Sequence, residues 1–120
     1  MAKIMVVDDS VTLRQMVAHV LQEDGHDVVQ AECAEDAMTQ LSDFAPELVL
    51  TDMYMPGLDG ISLTERLRAM PAYRLIPILV LSTDSSTDVK QRGRSSGVTG
   101  WIAKPFEPGM LKGIVQKVLQ

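Results

Sequence analysis

The chain carries the apolar run Leu48-Val49-Leu50-Thr51, which ends in Asp52 and is followed by a turn-forming segment rich in proline and glycine. A continuous apolar run of this length is typical of a strand that is covered on both faces. Parallel strands end together at one edge of their sheet, and ligands bind at that edge. The run therefore predicts a buried strand that brings a carboxylate to a ligand-binding edge.

Other segments of the chain repeat this pattern and alternate with helical patterns. Further runs of strand length lie near residues 3–8, 27–31, 77–82 and 99–103. Apolar side chains recur at helical spacing in residues 13–21, 34–41, 60–70 and 110–118. With a weaker fifth helical segment at residues 85–97, strand and helix alternate five times. This alternation predicts right-handed crossovers and an α/β fold: a doubly wound, five-stranded parallel sheet in the flavodoxin-like order 2-1-3-4-5 with five helices.

Residues 85–97 fit the helical pattern least well. They are rich in serine and glycine, which are poor helix formers, and only Val89 is clearly apolar. One interpretation is a marginal surface helix. The other is an element that is free to shift and so belongs to an output surface. The composition favours neither interpretation over the other.

Length and composition limit the class of protein. The 120 residues predict one domain over 1–120 with no effector domain, and no apolar run approaches the roughly 20 residues of a membrane span. The net charge of −5 argues against nonspecific nucleic-acid binding, which needs a basic face. The N-terminus has no signal-peptide pattern, and Cys33, as the only cysteine, is expected to be a small core residue in a reducing cytoplasm.

Four of the apolar runs end in side chains that could form one site. These side chains are those of Asp8, Asp9, Asp52, Ser82 and Lys104. Adjacent carboxylates repel one another, and a bound Mg²⁺ would offset that repulsion with oxygen ligands. The three aspartates and the lysine leave a net charge of −2, which one Mg²⁺ would neutralise. Asp52 could be a further metal ligand or a nucleophile that forms an acyl phosphate.

The same residues carry a resemblance to a known family. The chain resembles the receiver domain of two-component response regulators, and in particular single-domain chemotaxis regulators of the CheY type. The motifs that match are Asp8-Asp9, Asp52 with Met55-Pro56-Gly57 and Asp59-Gly60, Ser82, and Lys104-Pro105-Phe106. They span nearly the whole chain, and their combined spacing is highly specific.

The resemblance implies a role for each matching position. Asp52 would accept a phosphoryl group from a phosphohistidine of a sensor histidine kinase. Asp9 would ligate Mg²⁺ directly, Asp8 directly or through water, and the backbone carbonyl of Tyr54 would be another ligand together with Asp52. Ser82 and Lys104 would hold the phosphoryl oxygens.

The resemblance also implies a conformational switch. Trp101 lies where the family has its switch aromatic, although it could instead be only a large hydrophobic residue on an edge strand. Thr83 is larger than the residue often found beside the switch serine, which argues against full burial of Trp101. Tyr54 borders the approach of water to Asp52, whereas Asp84 could orient a water, so both are expected to modulate dephosphorylation.

Three functions follow as alternatives. Phosphorylation could change the surface of residues 84–106 so that it binds a flagellar motor switch protein, with a separate phosphatase possible. The protein could instead be a phosphate sink or a phosphorelay shuttle. A phosphohydrolase of the haloacid dehalogenase type is disfavoured, because Tyr54 stands where that signature has its second aspartate. We therefore expect a cytoplasmic signalling protein whose chemistry is limited to self-catalysed phosphorylation and dephosphorylation.

Overall fold

The computed structural model describes residues 1–84 and 86–120. Its strands are β1 (Lys3–Val7), β2 (Asp27–Ala31), β3 (Leu48–Asp52), β4 (Ile78–Ser82) and β5 (Gly100–Ala103). Its α-helices are α1 (Val11–Glu23), α2 (Ala34–Gln40), α3 (Gly60–Arg68), α4 (Thr87–Ser96) and α5 (Pro108–Val118). These elements agree with the alternation that the sequence predicts.

The five strands form one parallel sheet in the order β2-β1-β3-β4-β5. This is the doubly wound, flavodoxin-like order that the sequence predicts. The strand order reverses direction between β1 and β3, which is where a ligand binds in sheets of this type. Strand β5 lies at an edge of the sheet and pairs only with β4 among the described residues 1–84 and 86–120.

Each face of the sheet is covered by one apolar layer of side chains. On one face, Ile4, Val6 and Leu50 pack with residues of α1 and α5. On the other face, Met5 and Val49 pack with residues of α2 and α3. Burial on both faces explains why β1, β3 and β4 are continuous apolar runs instead of alternating ones.

Helix α1 begins at Val11, shortly after the two aspartates that follow β1. The side chain of Ser10 caps it by accepting a hydrogen bond from the backbone N–H of Leu13. Its buried face docks the helix on the sheet. Gly25, with a φ of 87°, lies just beyond the end of the helix and allows the chain to turn towards β2.

One local expectation was wrong. Cys33 is only half-buried, and its sulfur caps α2 by accepting from the backbone N–H of Asp36 instead of filling the core. The segment after α3 contains a short 3₁₀ helix, Pro71–Tyr73, and the Tyr73 side chain is buried. A proline can begin such a turn because it needs no donor there.

Most of the doubtful segment 85–97 is helical, since α4 covers Thr87–Ser96, although the helix contributes little apolar surface; Ser85 lies outside the described residues. Val89 and Val98 pack with Trp101 against a small cluster of Met53, Ile61 and Val80. Two further contacts with α3 are polar. Arg92 forms a 3.1 Å ion pair with Asp59, and the Ser96 hydroxyl donates to Glu65 at 2.8 Å.

The C-terminal end of α4 is held by Arg68, the last residue of α3. Its guanidinium donates to the backbone carbonyls of Gly97, Tyr73 and Ile76 at distances between 2.7 and 3.0 Å. Burial lowers the pKa of this guanidinium from its usual value. Arg68 therefore joins the end of α4, the 3₁₀ helix and the segment entering β4.

Within residues 1–84 and 86–120, none of the helices is both long enough and apolar enough to cross a lipid bilayer.

Candidate functional site

The strand register places the predicted site residues at one edge of the sheet. Val7 pairs with Thr51, so Asp8 and Asp52 follow at the same level on neighbouring strands. Asp52 pairs with Leu81, and Ser82 is the next residue. The backbone N–H of Lys104 donates to the carbonyl of Ser82 at 2.9 Å, which brings Lys104 to the same edge.

Three carboxylates converge at this edge. Asp8, Asp9 and Asp52, here called the acidic cluster, each offer a carboxylate oxygen, and these oxygens lie within 4.8 Å of one another. Asp8 is only 4% exposed. Burial raises the pKa of the Asp8 carboxyl, and repulsion from Asp52 adds to this, whereas a hydrogen bond from the Ser10 N–H opposes it. All donors in the cluster are carboxylate oxygens, which suits a hard divalent cation such as Mg²⁺.

Lys104 forms the shortest ion pair of the site. Its ammonium nitrogen lies 2.6 Å from a carboxylate oxygen of Asp52, and the two side chains are only 19% and 12% exposed. The Lys104–Pro105 peptide bond is cis. Because the ammonium lies so close to Asp52, it can stabilise additional negative charge on that side chain.

Asp84 links three of the other predicted residues. Its backbone N–H donates to the Ser82 hydroxyl at 2.9 Å, and its backbone carbonyl accepts from the Trp101 indole at 3.2 Å. Its carboxylate accepts from the Tyr54 hydroxyl at 2.8 Å and from the backbone N–H of Ser86. The Ser86 N–H, followed by the Tyr54 hydroxyl, lowers the pKa of the Asp84 carboxyl, while the Asp84 contact raises the pKa of Tyr54.

Tyr54 and Thr83, two of the residues expected to modulate the site, are both exposed. The Tyr54 side chain is 53% exposed, and its ring is tethered at the mouth of the site by the contact with Asp84. Thr83 is exposed instead of lining a space beneath Ser82. Trp101 is half-buried, and a Cβ built on Gly93 would lie 2.9 Å from its ring.

Sequence reasoning missed residues that fix the backbone of the site. The buried Thr51 hydroxyl donates to the carbonyl of Asp52 at 2.9 Å, and a Cβ on Gly60 would lie 2.5 Å from that oxygen. A guanidinium nitrogen of Arg14 donates to the carbonyl of Asp8 at 2.8 Å. Contacts to the main chain leave no pattern of residue types in the sequence, although Gly60 belongs to the Asp59-Gly60 motif.

The model of the response regulator receiver domain matches residues 4–116 of the chain. The chain belongs to this family. Receiver domains accept a phosphoryl group from a histidine kinase and act as signalling domains without a separate catalytic activity.

Relatives and solved structures agree with this membership. The chain is 35% identical over 121 residues to the chemotaxis protein CheY homolog of Campylobacter jejuni, covering 98% of this chain and 92% of that protein. It is 37% identical to the structure of Vibrio cholerae CheY4, with a TM-score of 0.95 and 98% of each chain covered.

Longer proteins also match. The chain is 33% identical to the phosphate regulon transcriptional regulatory protein PhoB of Escherichia coli over 98% of its own length, but it spans only 52% of that relative. The shared segment is therefore the receiver domain that these proteins have in common.

Proposed function

We propose that Asp52 accepts a phosphoryl group from a phosphohistidine of a sensor histidine kinase. A carboxylate oxygen of Asp52 would attack phosphorus as the bond from phosphorus to the histidine nitrogen breaks, and the nitrogen would keep the electron pair. The observation that carries this proposal is the convergence of Lys104 and two further aspartates on Asp52. Transfer of this kind depends mainly on positioning and charge neutralisation.

We propose that Asp8, Asp9 and Asp52 hold Mg²⁺, together with the backbone carbonyl of Tyr54. When bound, the cation would offset the negative charge that gathers around the transferred group. Lys104 would pair with one phosphoryl oxygen, and the Ser82 hydroxyl would donate to another. Because a phosphorylated carboxylate carries about two negative charges in place of one, both the lysine and the cation are needed.

The output would begin at Ser82. Its hydroxyl already accepts from the backbone of Asp84, whose carbonyl accepts from the Trp101 indole. A hydroxyl drawn towards a phosphoryl group would disturb this chain of contacts and bias the surface of residues 84–106. The effect is a shift between conformations that exist already, not the building of a new fold.

The partner that we propose for this surface is a flagellar motor switch protein, in a cytoplasmic chemotaxis pathway. Two proteins similar to this chain are named as chemotaxis proteins, in Campylobacter jejuni and Vibrio cholerae. We further propose that residues 1–120 act as one receiver domain. A phosphate sink would accept the phosphoryl group without gaining this partner, so binding to the switch protein after phosphorylation distinguishes the two functions.

The proposal is tested with Mg²⁺ and a small acyl phosphate, following intact mass and the fluorescence of Trp101, the only tryptophan. We expect one phosphoryl group to be gained, with Mg²⁺ required and with no gain in Asp52→Asn. A concurrent change in fluorescence would place Trp101 in the response. Unaltered mass with both the acyl phosphate and a cognate kinase would contradict the proposal, and repeated phosphate release from small phosphoesters would favour a phosphohydrolase.

A further inference from the structure

Arg14 has no part in the function proposed above, yet its side chain reaches the acidic cluster. It lies in the second turn of α1, where its backbone N–H donates to the carbonyl of Ser10. Its side chain returns towards the end of β1, and one guanidinium nitrogen lies 2.8 Å from the backbone carbonyl oxygen of Asp8.

The guanidinium is also anchored on the neighbouring strand. The Nε of Arg14 donates to the side-chain oxygen of Gln30 in β2 at 3.2 Å. The backbone carbonyl of Gln30 in turn accepts from the Gln40 side chain at 2.8 Å. Arg14 is therefore held between α1, β1 and β2, and its planar group has a fixed orientation.

These contacts fix the peptide that joins Asp8 to Asp9. The N–H of Asp8 donates to the carbonyl of Ala31 at 3.0 Å, so β2 holds the backbone of Asp8 at its N–H group. Arg14 holds the carbonyl on the other side and with it the plane of the following peptide. That plane determines the direction in which the chain presents Asp9 beside Asp8 and Asp52.

We propose that Arg14 is a positioning residue for cation binding: it holds the Asp8–Asp9 peptide so that the acidic cluster is already assembled before the cation arrives. Without it, three mutually repelling carboxylates would have to be ordered during binding. Residues that orient ligands in this way change metal affinity strongly although they do not touch the metal. The inference rests on the proposed function only in taking Mg²⁺ as the cation.

The direction in which Mg²⁺ affinity changes when Arg14 is replaced distinguishes a positioning role from a purely electrostatic one. Arg14 is a cation near a site for a cation, so its electrostatic contribution alone opposes Mg²⁺ binding. Removing only that repulsion would make Mg²⁺ bind more tightly. Loss of the carbonyl contact would make it bind more weakly.

The experiment measures the Mg²⁺ dissociation constant of the unphosphorylated protein by isothermal titration calorimetry. In Arg14→Met we expect affinity to fall by about tenfold. The matched control is Arg66→Met, which removes the same charge from an exposed position on α3 and should bind Mg²⁺ as the unmodified protein does. Gln30→Met removes the anchor without changing any charge and should weaken binding by a smaller factor.

A second readout distinguishes positioning from general damage to the fold. At saturating Mg²⁺, the rate of phosphorylation of Arg14→Met by a small acyl phosphate should return to that of the unmodified protein. Equal or tighter Mg²⁺ binding in Arg14→Met would overturn the inference, as would a rate that stays low at saturating Mg²⁺. If Arg14→Met does not fold, unchanged affinity in Gln30→Met overturns it instead. Absence of Mg²⁺ binding by the unmodified protein would contradict the proposed function itself.

Discussion

Asp8 is the residue at which folding and the proposed function make opposite demands. It is buried beside Asp52, so its charge is costly in the free protein, yet that charge is needed to hold a cation. The Ser10 N–H relieves part of this cost by donating to the carboxylate. A site of this kind is expected to bind its cation more strongly because the cation removes repulsion that the fold already contains.

We predict that Asp8→Asn stabilises the metal-free fold by about 1 kcal/mol at neutral pH. The folded pKa of Asp8 is raised above its usual 3.8, so the folded protein holds this proton more tightly than the unfolded chain. The free energy of unfolding therefore falls as pH rises from the usual value through the raised pKa, and it is lowered by a constant amount above that pKa. Urea unfolding of both proteins across this range, without divalent cations, measures the difference.

The gain from Asp8→Asn should vanish well below pH 3.8, where the carboxyl is protonated in both states of the protein. Asp9→Asn is the control, since Asp9 is exposed and its charge is less costly. An Asp8→Asn protein that is no more stable than the unmodified protein at neutral pH would contradict this account.

Tyr54 is predicted to slow the loss of the phosphoryl group. Its ring is tethered over the mouth of the site by the hydrogen bond to Asp84, and it follows Asp52 by only two residues. Tyr54→Ala should dephosphorylate several times faster, because water gains access and Asp84 is released. Tyr54→Phe keeps the ring without the hydrogen bond to Asp84, and its dephosphorylation rate should lie between those of the unmodified protein and Tyr54→Ala. The decay of the phosphorylated mass after removal of the phosphodonor measures this, and equal lifetimes in all three proteins would exclude shielding by Tyr54.

At the scale of elements, α4 differs from the other helices in how it is held. Polar pairs with α3 and one small apolar cluster replace the broad apolar face seen in α1. Gly93 is the residue of α4 that is buried, and it lies directly against Trp101. Because Gly93 has no side chain, α4 can lie close to the Trp101 ring.

We predict opposite effects for the same substitution in two helices. A Cβ at Gly93 would lie 2.9 Å from the Trp101 ring, so Gly93→Ala should destabilise the protein by about 1 kcal/mol, because strain exceeds the gain in helix propensity. In α5, nothing lies within 4 Å of a Cβ at Gly113, and Gly113→Ala should stabilise by about 0.5–1 kcal/mol. Chemical unfolding tests both values. Trp101 fluorescence should change only in Gly93→Ala, and stabilisation by Gly93→Ala would show that the ring moves aside without cost.

At the scale of the molecule, cation binding and global stability should be coupled. The chain has a net charge of −5, and three of its carboxylates meet at one edge of the sheet. A ligand that binds only the folded state stabilises it according to its concentration relative to its dissociation constant. Mg²⁺ at about 100 times that constant should add about 2.7 kcal/mol to the free energy of unfolding.

Thermal unfolding with and without MgCl₂, at ionic strength matched with KCl, measures this coupling. Asp9→Asn should lose most of the increase, since it removes a proposed direct ligand. A melting temperature that does not rise with Mg²⁺ in the unmodified protein would indicate that the acidic cluster holds no such cation.

Much of the fold is predictable from the sequence because its strands are covered on both faces. Burial on both faces makes Leu48 to Leu50 a continuous apolar run, and parallel pairing brings the polar residues that end such runs to one edge. The family and the strand order follow from the same residues. The ion pair between Lys104 and Asp52 is predictable because both residues end such runs at this edge. Their roles in phosphoryl transfer remain predictions.

The contacts that the sequence could not predict are those between a side chain and a distant backbone group. Arg14 on the carbonyl of Asp8 and Trp101 on the carbonyl of Asp84 are of this kind. Any residue can supply a backbone carbonyl, so only the folded chain reveals the pairing. Cys33 was misjudged because its helix-capping position depends on a local turn, not on its apolar character.

The contact of Arg68 with the end of α4 has a mechanical consequence. A helix of ten residues is about 15 Å long, and this one is held at Gly97 by two hydrogen bonds from one guanidinium. Gly97 would therefore be the fixed point of any rotation of α4. A rotation of about 10° around it would displace Thr87 by about 3 Å while Gly97 stays in place. A change beside Ser82 and Asp84, which precede α4 directly, would thus move the first turn of the helix most and its last turn least.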